Sequence, residues 1–255
     1  MTYDLRLGRY QDVLADVQCN AVLVDAPYSA KTHDGHKSRT DATNATGLSS
    51  YIAKHGGRGA SSVRRQLEYA SWTADDVREC CEFFASRCSG WFVSITDHVL
   101  AREWEKSLTD CGMYVFAPLP FLEMGKQPRM SGDGPASWTC WIIVARPRRA
   151  EFLRCGSLPG GYVRFCKHTP DRIPGGKPVD LMRALIRDYS RPGDLVCDPC
   201  AGGGTTLLAA VQTGRRAVGA EMDPQTHAKA VQRLANAKVT VDWLDAPKAT
   251  QEGLL

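Results

Sequence analysis

The carboxyl-terminal half of the chain alternates short apolar runs with amphipathic stretches. Apolar runs at 195–197 and 217–220 flank three adjacent glycines and a stretch of helical spacing at 205–212, and Asp223-Pro224 opens another helical stretch. Another glycine comes shortly after the stretch 205–212, as is common at the end of a helix, and Pro224 suits the first turn of the next helix. The residue types and the hydrophobic periodicity therefore predict the same helix boundaries. The strand-helix-strand-helix order predicts a parallel sheet with right-handed crossovers.

Upstream, the same alternation predicts the rest of an α/β fold. Leu181, Leu185 and Ile186 share one face of a helix that precedes the first of these strands. In the amino-terminal half, apolar runs predict buried strands and amphipathic stretches predict helices. The predicted strands are 22–24, 91–95 and one in each of the segments 113–121 and 137–147, and the predicted helices lie around 74–87 and 99–111.

Length and composition favour a single domain. A chain of 255 residues with 43% hydrophobic residues can bury a full core, so residues 1–255 are expected to form one α/β domain. The chain has no run of about 18 apolar residues and no apolar secretion signal, which predicts a soluble cytoplasmic protein. The ten cysteines are irregularly spaced, which predicts reduced thiols and no metal site.

Positive charge is concentrated in two stretches, and each is predicted to contain a basic loop. Residues 31–70 hold seven Lys or Arg against three Asp or Glu, and residues 126–172 hold nine against three, in a chain whose net charge is only +4. This distribution favours binding to nucleic acid, and a pair of solvated loops is the alternative. The candidate phosphate or base contacts are Lys37, Arg39, Arg58, Arg64, Arg65, Arg129, Arg146, Arg148 and Arg149.

The three glycines lie where a strand ends and a helix begins, in the sequence DPCAGGGTT from Asp198 to Thr206. Backbone without side chains lets a ligand approach closely, and a helix amino terminus offers unpaired N–H groups. No lysine follows the glycines and their spacing misses G-x-G-x-x-G, which argues against a P-loop and a dinucleotide site. Glu221 ends the next strand, where nucleoside-binding folds place a ribose-binding carboxylate. These features favour S-adenosylmethionine over a plain tight turn beside a surface charge.

A second candidate site is Asp25-Ala26-Pro27-Tyr28, directly after the apolar run 22–24. Loops that leave the carboxyl ends of parallel strands converge on the ligand-binding crevice of an open α/β sheet. An acid, a rigid turn and an aromatic face at such a position therefore indicate a binding site. An ordinary strand exit is the alternative, because Asp and Pro also end strands for local reasons.

The two motifs together resemble those of the S-adenosylmethionine-dependent DNA amino-methyltransferases, which methylate adenine N6 or cytosine N4. In that family a [D/N/S]-P-P-[Y/F/W] motif holds the target amine and a D-x-F-x-G-x-G motif holds the cofactor. The catalytic motif here precedes the cofactor motif by about 170 residues, which is similar to the order in the permuted β group. The resemblance implies a Rossmann-like methyltransferase fold with a mainly parallel sheet, an antiparallel edge hairpin and circularly permuted motifs.

The resemblance also implies a role for each motif. Asp25 and the backbone carbonyl of Ala26 would accept the two N–H protons of the target amine, and Pro27 would fix the turn. Tyr28 would stack on a base that has swung out of duplex DNA, and segment 126–172 would include the target-recognition region. The cofactor-binding candidates are Arg9, Tyr10, Lys177, Asp198, Pro199, Cys200, Ala201, Gly202, Gly203, Gly204, Thr205, Thr206, Glu221, Met222 and Asp223.

Adenine N6 is the favoured target, because an acid-first motif is commoner among adenine enzymes of the family, and cytosine N4 is the alternative. An RNA or protein-glutamine amino-methyltransferase and an inactive nucleic-acid-binding module stay open. The chain departs from the family at Arg9, where an acid is usual, and at Ala26, where a proline is usual. Cytosine C5 methylation by Cys200 is disfavoured, because that thiol lies within the cofactor loop.

The resemblance also implies partners. The expected partners are double-stranded DNA and, as in many family members, a second copy of the chain. A role in restriction-modification fits the family.

Overall fold

The computed structural model of the protein describes residues 3–32, 70–124, 138–149, 157–165 and 176–237. These residues form a sheet with helices on both faces. The strands are β1 Tyr3–Leu7, β2 Cys19–Val24, β3 Cys88–Thr96, β4 Tyr114–Val115, β5 Leu119–Met124, β6 Thr139–Arg146, β7 Tyr162–Phe165, β8 Leu195–Asp198 and β9 Arg216–Glu221. The helices are α1 Tyr10–Val13, α2 Ala74–Ala85, α3 Ala101–Asp110, α4 Val179–Tyr189, α5 Thr205–Gln212 and α6 Pro224–Asn236.

The described strands form one mixed sheet in the order β1-β9-β8-β2-β3-β6-β5-β7, with β4 paired to β6. Neighbours from β1 to β3 are parallel, whereas β6 runs antiparallel to β3, β4 and β5. The predicted sheet, mainly parallel with an antiparallel hairpin, is confirmed. The hairpin does not form the sheet edge, because β7 pairs with β5 in parallel outside it.

Strand β2 lies in the middle of the sheet and is buried on both sides. Val22 and Val24 pack into the core beneath α1, α2 and α3, and Ala21 and Leu23 pack into the core beneath α4 and α5. Consecutive apolar residues are typical of a parallel strand covered by helices on both faces. The residues that follow β2 are therefore anchored by a central strand that is buried on both faces.

Most predicted elements are confirmed, with shifted ends. The strand predicted at 91–95 extends over Cys88–Thr96, and the apolar segment 113–121 divides into β4 and the start of β5. Three elements were not predicted: β1, α1 and β7. Strands β1 and β7 contain exposed and half-buried positions, and α1 has only four residues. Their hydrophobic patterns are too short or too polar to distinguish them from loops.

The two predicted basic stretches differ in what the structure describes. The predicted insertion 31–70 lies almost wholly outside the described residues. Segment 126–172 contains β6 and β7, so this part of it belongs to the sheet.

Candidate active site

The two motifs of the candidate site leave the sheet at the same edge. Strand β2 ends just before Asp25 and β8 ends at Asp198, and these strands are parallel neighbours with Val22 opposite Cys197. Loops that follow adjacent parallel strands converge at the carboxyl edge of the sheet. The structure therefore brings together motifs about 170 residues apart in sequence, and Asp25 is close enough to influence the pKa of Asp198.

Lys177 lies against the loop that follows β2, here called the Asp25 loop (residues 25–29). Its Nζ donates to Oδ1 of Asp25 at 2.5 Å, and the same ammonium lies 4.7 Å from the centre of the Tyr28 ring. The side chains of Lys177 and Asp25 are 11% and 19% exposed, so water screens this ion pair only in part. Lys177 was predicted among the cofactor-binding residues, and the structure places its ammonium beside the proposed catalytic motif.

Tyr28 is held through both its side chain and its backbone. The hydroxyl donates to Sγ of Cys140, on β6, at 3.3 Å. The backbone oxygen accepts a hydrogen bond from the N–H of Trp72 at 3.1 Å, and Trp72 stacks on the buried Trp104 with ring centres 6.0 Å apart. The ring of Tyr28 is half-buried, so it is fixed in orientation while part of it faces solvent.

Asp97, directly after β3, is a residue of this edge that the sequence analysis missed. Its Oδ2 accepts hydrogen bonds from the backbone N–H of Ser29 at 3.0 Å and from the hydroxyls of Ser29 and Thr32 at 2.5 Å each. The signal is present in the sequence, because Asp97 follows a buried apolar strand in the same way as Asp25 does. No periodicity rule indicates that Asp97 contacts the residues that follow Asp25 and Tyr28.

The glycine turn is shaped by backbone conformations that suit glycine. Gly202 and Gly204 have φ values of +49° and +73°, in the left-handed region. A Cβ on Gly204 would lie 3.2 Å from Cδ1 of Leu234, so this position permits α6 to pack closely. A Cβ on Gly202 would have no neighbour nearer than the carbonyl oxygen of Cys200, at 3.9 Å. The space beside Gly202 is therefore open to a ligand.

Asp198 is a buried carboxyl group at the base of this turn. It is 2% exposed, and Oδ1 accepts a hydrogen bond from the backbone N–H of Cys200 at 3.0 Å. The pKa of Asp198 is raised to about 7, chiefly by burial and in addition by the charges of Asp25 and Glu221, against the opposing effect of a hydrogen bond from Thr206. Asp198 therefore binds a proton near neutral pH and would release that proton to solvent when a cationic ligand binds.

The end of β9 forms the other side of the turn. The carboxylate of Glu221 accepts a hydrogen bond from the N–H of Asp223 at 2.8 Å, and its backbone oxygen accepts one from Gly8 at 2.9 Å. Asp223 caps α6 through the N–H of Thr226 at 2.6 Å, while the Met222 side chain is exposed. Glu221 and Met222 border the edge where a nucleoside would lie, whereas the contact made by Asp223 is a helix cap.

Arg9 and Tyr10, also predicted to bind cofactor, follow β1 beside Glu221. Strand β1 pairs with β9, with Leu7 opposite Glu221. Arg9 is exposed, whereas Tyr10 is buried with its ring against Phe83 at 5.5 Å. Tyr10 is thus a packing residue, and Arg9 is the member of this pair that faces solvent near the edge.

Arg233 on α6 is a second residue that the sequence analysis missed. Its guanidinium donates to the carbonyl oxygen of Gly203 at 2.7 Å and to the hydroxyl of Thr205 at 2.9 Å. These bonds join α6 to the glycine turn and to the first residue of α5. Arg233 therefore supports the turn from the side on which the helices pack.

Cys200 is poorly suited to act as a nucleophile. Burial raises the pKa of its thiol well above the usual value, and the nearby carboxylates of Asp198 and Glu221 act in the same direction. A nucleophilic cysteine needs an environment that favours the thiolate. The surroundings of Cys200 argue against the C5 chemistry that its Pro-Cys sequence allows.

The edge as a whole suits a cationic adenosyl compound. Asp25, Asp198 and Glu221 place three carboxyl groups around an open glycine turn. S-adenosylmethionine carries a ribose and a sulfonium, and carboxylates complement both groups. Thr205 and Thr206 begin α5 beside the turn, so the amino terminus of this helix completes the set of residues suited to hold the cofactor.

A comparison with known proteins finds a similarity in the carboxyl-terminal half of the chain. Residues 141–232, from β6 to α6, match the family model described as DNA methylase (N6_N4_Mtase). This segment, about a third of the chain, is similar to the DNA methylase family. Two relatives come from Escherichia coli strain K12. YubD is 45% identical over 97 residues, which are 38% of this chain and 41% of YubD. The DNA adenine methyltransferase YhdJ is 35% identical over 72 residues, which are 28% of this chain and 24% of YhdJ.

The chain thus matches less than half the length of these two relatives, whereas the structural similarity extends further. The crystal structure of the M1.HpyAVI–SAM complex superposes with a TM-score of 0.62 at 15% identity, covering 91% of this chain and 99% of that one. The likeness extends well beyond the segment matched by the family model. The predicted Rossmann-like methyltransferase fold is confirmed.

The predicted DNA-contact residues that the structure describes lie away from the Asp25 loop. Strand β6 runs antiparallel to β3, so Arg146 at its carboxyl end lies at the opposite edge of the sheet, with Arg148 and Arg149 just beyond. The guanidinium groups of Arg146 and Arg148 stack over Tyr114, at 4.9 and 5.4 Å from the ring centre. The structure does not bring these three arginines to the candidate site. The other candidates, Lys37, Arg39, Arg58, Arg64, Arg65 and Arg129, lie outside the described residues.

The described ranges include neither a metal-binding cluster nor a membrane-spanning helix. No group of three or more His, Cys, Asp or Glu side chains in them has the arrangement of a metal site. None of their helices combines the length and the apolar character of a membrane span.

Proposed function

We propose that this protein transfers a methyl group from S-adenosylmethionine to the exocyclic amine of a base in DNA, with adenine N6 as the favoured target. The observation that carries the proposal is the position of the Asp25 loop and the open glycine turn on neighbouring parallel strands. Adjacent strands lie about 4.8 Å apart, so a base held at one loop and a cofactor held at the other can meet. The DNA methylase family match supports this proposal.

The Asp25 loop supplies the acceptors for the amine. An exocyclic amine is a weak nucleophile because its lone pair is delocalised into the base ring. The Asp25 carboxylate and the Ala26 carbonyl accept its two N–H protons, which draws the nitrogen towards tetrahedral geometry. Every residue has a carbonyl, so alanine preserves this acceptor, and Pro27 keeps the turn stiff.

Tyr28 holds the base. An amine within duplex DNA is not open to in-line attack, so the nucleotide must swing out and be stabilised outside the stack. Stacking on an aromatic ring contributes about 1–3 kcal/mol per base. The hydrogen bonds of the Tyr28 hydroxyl and backbone oxygen fix the ring for this purpose.

The glycine turn, Asp198 and Glu221 hold the cofactor. S-adenosylmethionine, when bound, supplies a methyl group that its sulfonium already activates. Glu221 accepts hydrogen bonds from the ribose hydroxyls, as carboxylates at this position do in nucleoside-binding folds, and an ionised Asp198 favours the positive charges of the ligand. Because the methyl group is activated in advance, positioning by these residues contributes most of the rate enhancement.

Two observations favour adenine over cytosine. The motif begins with an acid, and the relative YhdJ is named as an adenine methyltransferase. Cytosine N4 is the second candidate, because the family model covers both N6 and N4 enzymes. We further propose duplex DNA as the macromolecular substrate and a homodimer as the active assembly, as the family resemblance implies.

The test is methyl transfer from labelled S-adenosylmethionine to DNA from a methylation-free host, followed by digestion to nucleosides. Duplex DNA, single-stranded DNA and RNA serve as parallel substrates, and Asp25→Ala is the inactive control. We expect label in N6-methyladenine from duplex DNA. Label in N4-methylcytosine would transfer the assignment to cytosine, and label confined to RNA would replace the DNA substrate. Absence of label from all three substrates, with cofactor bound, would favour an inactive binding protein.

A further inference from the structure

We infer that Asp97 is a positioning residue, which fixes the Asp25 loop in its reactive geometry, a role that presupposes the proposed function. Asp97 belongs to neither motif that identified the site. It follows β3, the strand next to β2, and is 5% exposed. Its carboxylate lies one strand away from Asp25, at the same edge of the sheet.

One carboxylate oxygen of Asp97 holds the Asp25 loop. Oδ2 accepts the backbone N–H of Ser29 at 3.0 Å, the Ser29 hydroxyl at 2.5 Å and the Thr32 hydroxyl at 2.5 Å. Ser29 directly follows Tyr28 in sequence. A change in the position of Ser29 is therefore transmitted through one peptide bond to the residue proposed to stack on the base.

The other oxygen holds the start of α3. Oδ1 accepts hydrogen bonds from the backbone N–H groups of Val99 and Leu100, each at 3.0 Å. The backbone oxygen of Asp97 accepts a hydrogen bond from the N–H of Ala101 at 3.1 Å. Helix α3 carries Trp104, which is fully buried and anchors the segment in the core. Asp97 thus joins the Asp25 loop to a rigid helix through two oxygens of one side chain.

Charge is part of this arrangement. Burial alone would raise the pKa of Asp97, but hydrogen bonds from Ser29 and Thr32 hold it below the usual value, so the group is ionised at neutral pH. Hydrogen bonds to an ionised acceptor are roughly twice as strong as neutral ones. A buried carboxylate that accepts five such bonds is a stiff support.

An amide cannot replace it. Asparagine has one acceptor oxygen and one NH₂ group, which only donates. In either orientation, the NH₂ group would face donors, either those of Ser29 and Thr32 or those of Val99 and Leu100. A displacement of about 1 Å in a positioned group can cost about 100-fold in rate. We therefore expect Asp97→Asn to lower kcat by about 10- to 100-fold.

The test compares wild type, Asp97→Asn, Ser29→Ala and the double variant in methyl transfer to DNA from a methylation-free host. We expect the dissociation constant for S-adenosylmethionine to stay within about threefold of wild type, because the glycine turn makes none of these contacts. Ser29→Ala retains the Ser29 N–H and the Thr32 hydroxyl, so its loss in kcat should be smaller. In the double variant, the second substitution should add little. Asp194→Asn is the matched control, because Asp194 accepts the N–H of Arg191 in a turn at the opposite edge.

A readout that needs no activity separates this inference from the proposed function. Hydrogen exchange should be faster in peptides spanning 25–32 of Asp97→Asn, with α5 and β8 unchanged. If the wild type transfers no methyl group, the proposed function fails and hydrogen exchange alone decides the role of Asp97. Wild-type kcat and unchanged exchange in Asp97→Asn would overturn the inference. General unfolding with lost cofactor binding would also overturn it, because it would show a structural role.

Discussion

The ammonium of Lys177 lies 2.5 Å from Oδ1 of Asp25 and 4.7 Å from the centre of the Tyr28 ring. One cation thus contacts two of the three groups that the proposed reaction assigns to the target base, the Asp25 carboxylate and the Tyr28 ring. The pair joins residues 152 positions apart, one after β2 and the other before α4. It therefore ties the amino-terminal motif to the carboxyl-terminal half of the chain.

Lys177→Met should lower the free energy of unfolding by about 1–3 kcal/mol. This value lies between those typical of exposed and of buried ion pairs, because water screens the two charges only in part. Urea denaturation measures the change. The Lys177→Met/Asp25→Asn variant should regain part of the stability, because the uncompensated carboxylate is removed, but it should regain no activity. Strictly additive losses in stability would show that the two residues are not coupled.

Asp198 should make cofactor binding depend on pH. Its pKa, about 7 in the folded protein, lies above the value in an unfolded chain, so its contribution to stability is full below about pH 4 and is lost as the pH rises through 7. A cationic ligand favours the ionised form. The dissociation constant for S-adenosylmethionine should therefore fall between pH 6 and pH 8, with release of a proton near neutrality.

Calorimetry in two buffers of different ionisation enthalpy measures this proton release. Asp198→Asn is the control, because an amide in the same place does not titrate and the remaining pH dependence then belongs to the ligand itself. Equal proton release by wild type and Asp198→Asn would contradict the assignment.

Gly202 and Gly204 form a matched pair for substitution, since both have positive φ. An alanine in that conformation costs about 1–2 kcal/mol at either position. Gly204→Ala should cost more, about 2–3 kcal/mol, because its methyl group would press against Leu234 at 3.2 Å. Gly202→Ala should lose less stability but more cofactor affinity, because its methyl group enters the open space beside the turn. Thermal unfolding and equilibrium binding measure the two effects, and wild-type affinity in Gly202→Ala would place the cofactor elsewhere.

Tyr28→Ala should reduce kcat/KM on DNA by roughly 5- to 150-fold, the equivalent of about 1–3 kcal/mol of stacking. Tyr28→Phe keeps the ring and removes only the hydrogen bond to Cys140, so its loss should stay within a few-fold. Steady-state methyl transfer measures both variants. Equal losses in Tyr28→Phe and Tyr28→Ala would show that the hydroxyl, and not the ring, carries the effect.

The sequence predicts the parts of this site that depend on local order. The glycine turn and the Asp25 loop each follow an apolar strand, and adjacent parallel strands bring such loops together. The sequence singles out Lys177 but does not predict its contact with Asp25, because that contact depends on how α4 packs against the sheet. Asp97 and Arg233 were missed for the same reason, since their partners are distant in sequence. The position of Arg146 follows from the direction of β6, which apolar periodicity does not reveal.

The adjacency of β2 and β8 has a consequence for dissecting this molecule. The segment 141–232, which carries the family match, includes β8 and its neighbour β9 but not β2. A fragment trimmed to those limits would keep the turn proposed to hold the cofactor and would lack Asp25, the acid proposed to accept the amine protons. Removing β2 would also expose the backbone hydrogen-bonding groups on one side of β8, and an exposed strand edge can pair with other chains. The smallest working unit therefore has to span both halves.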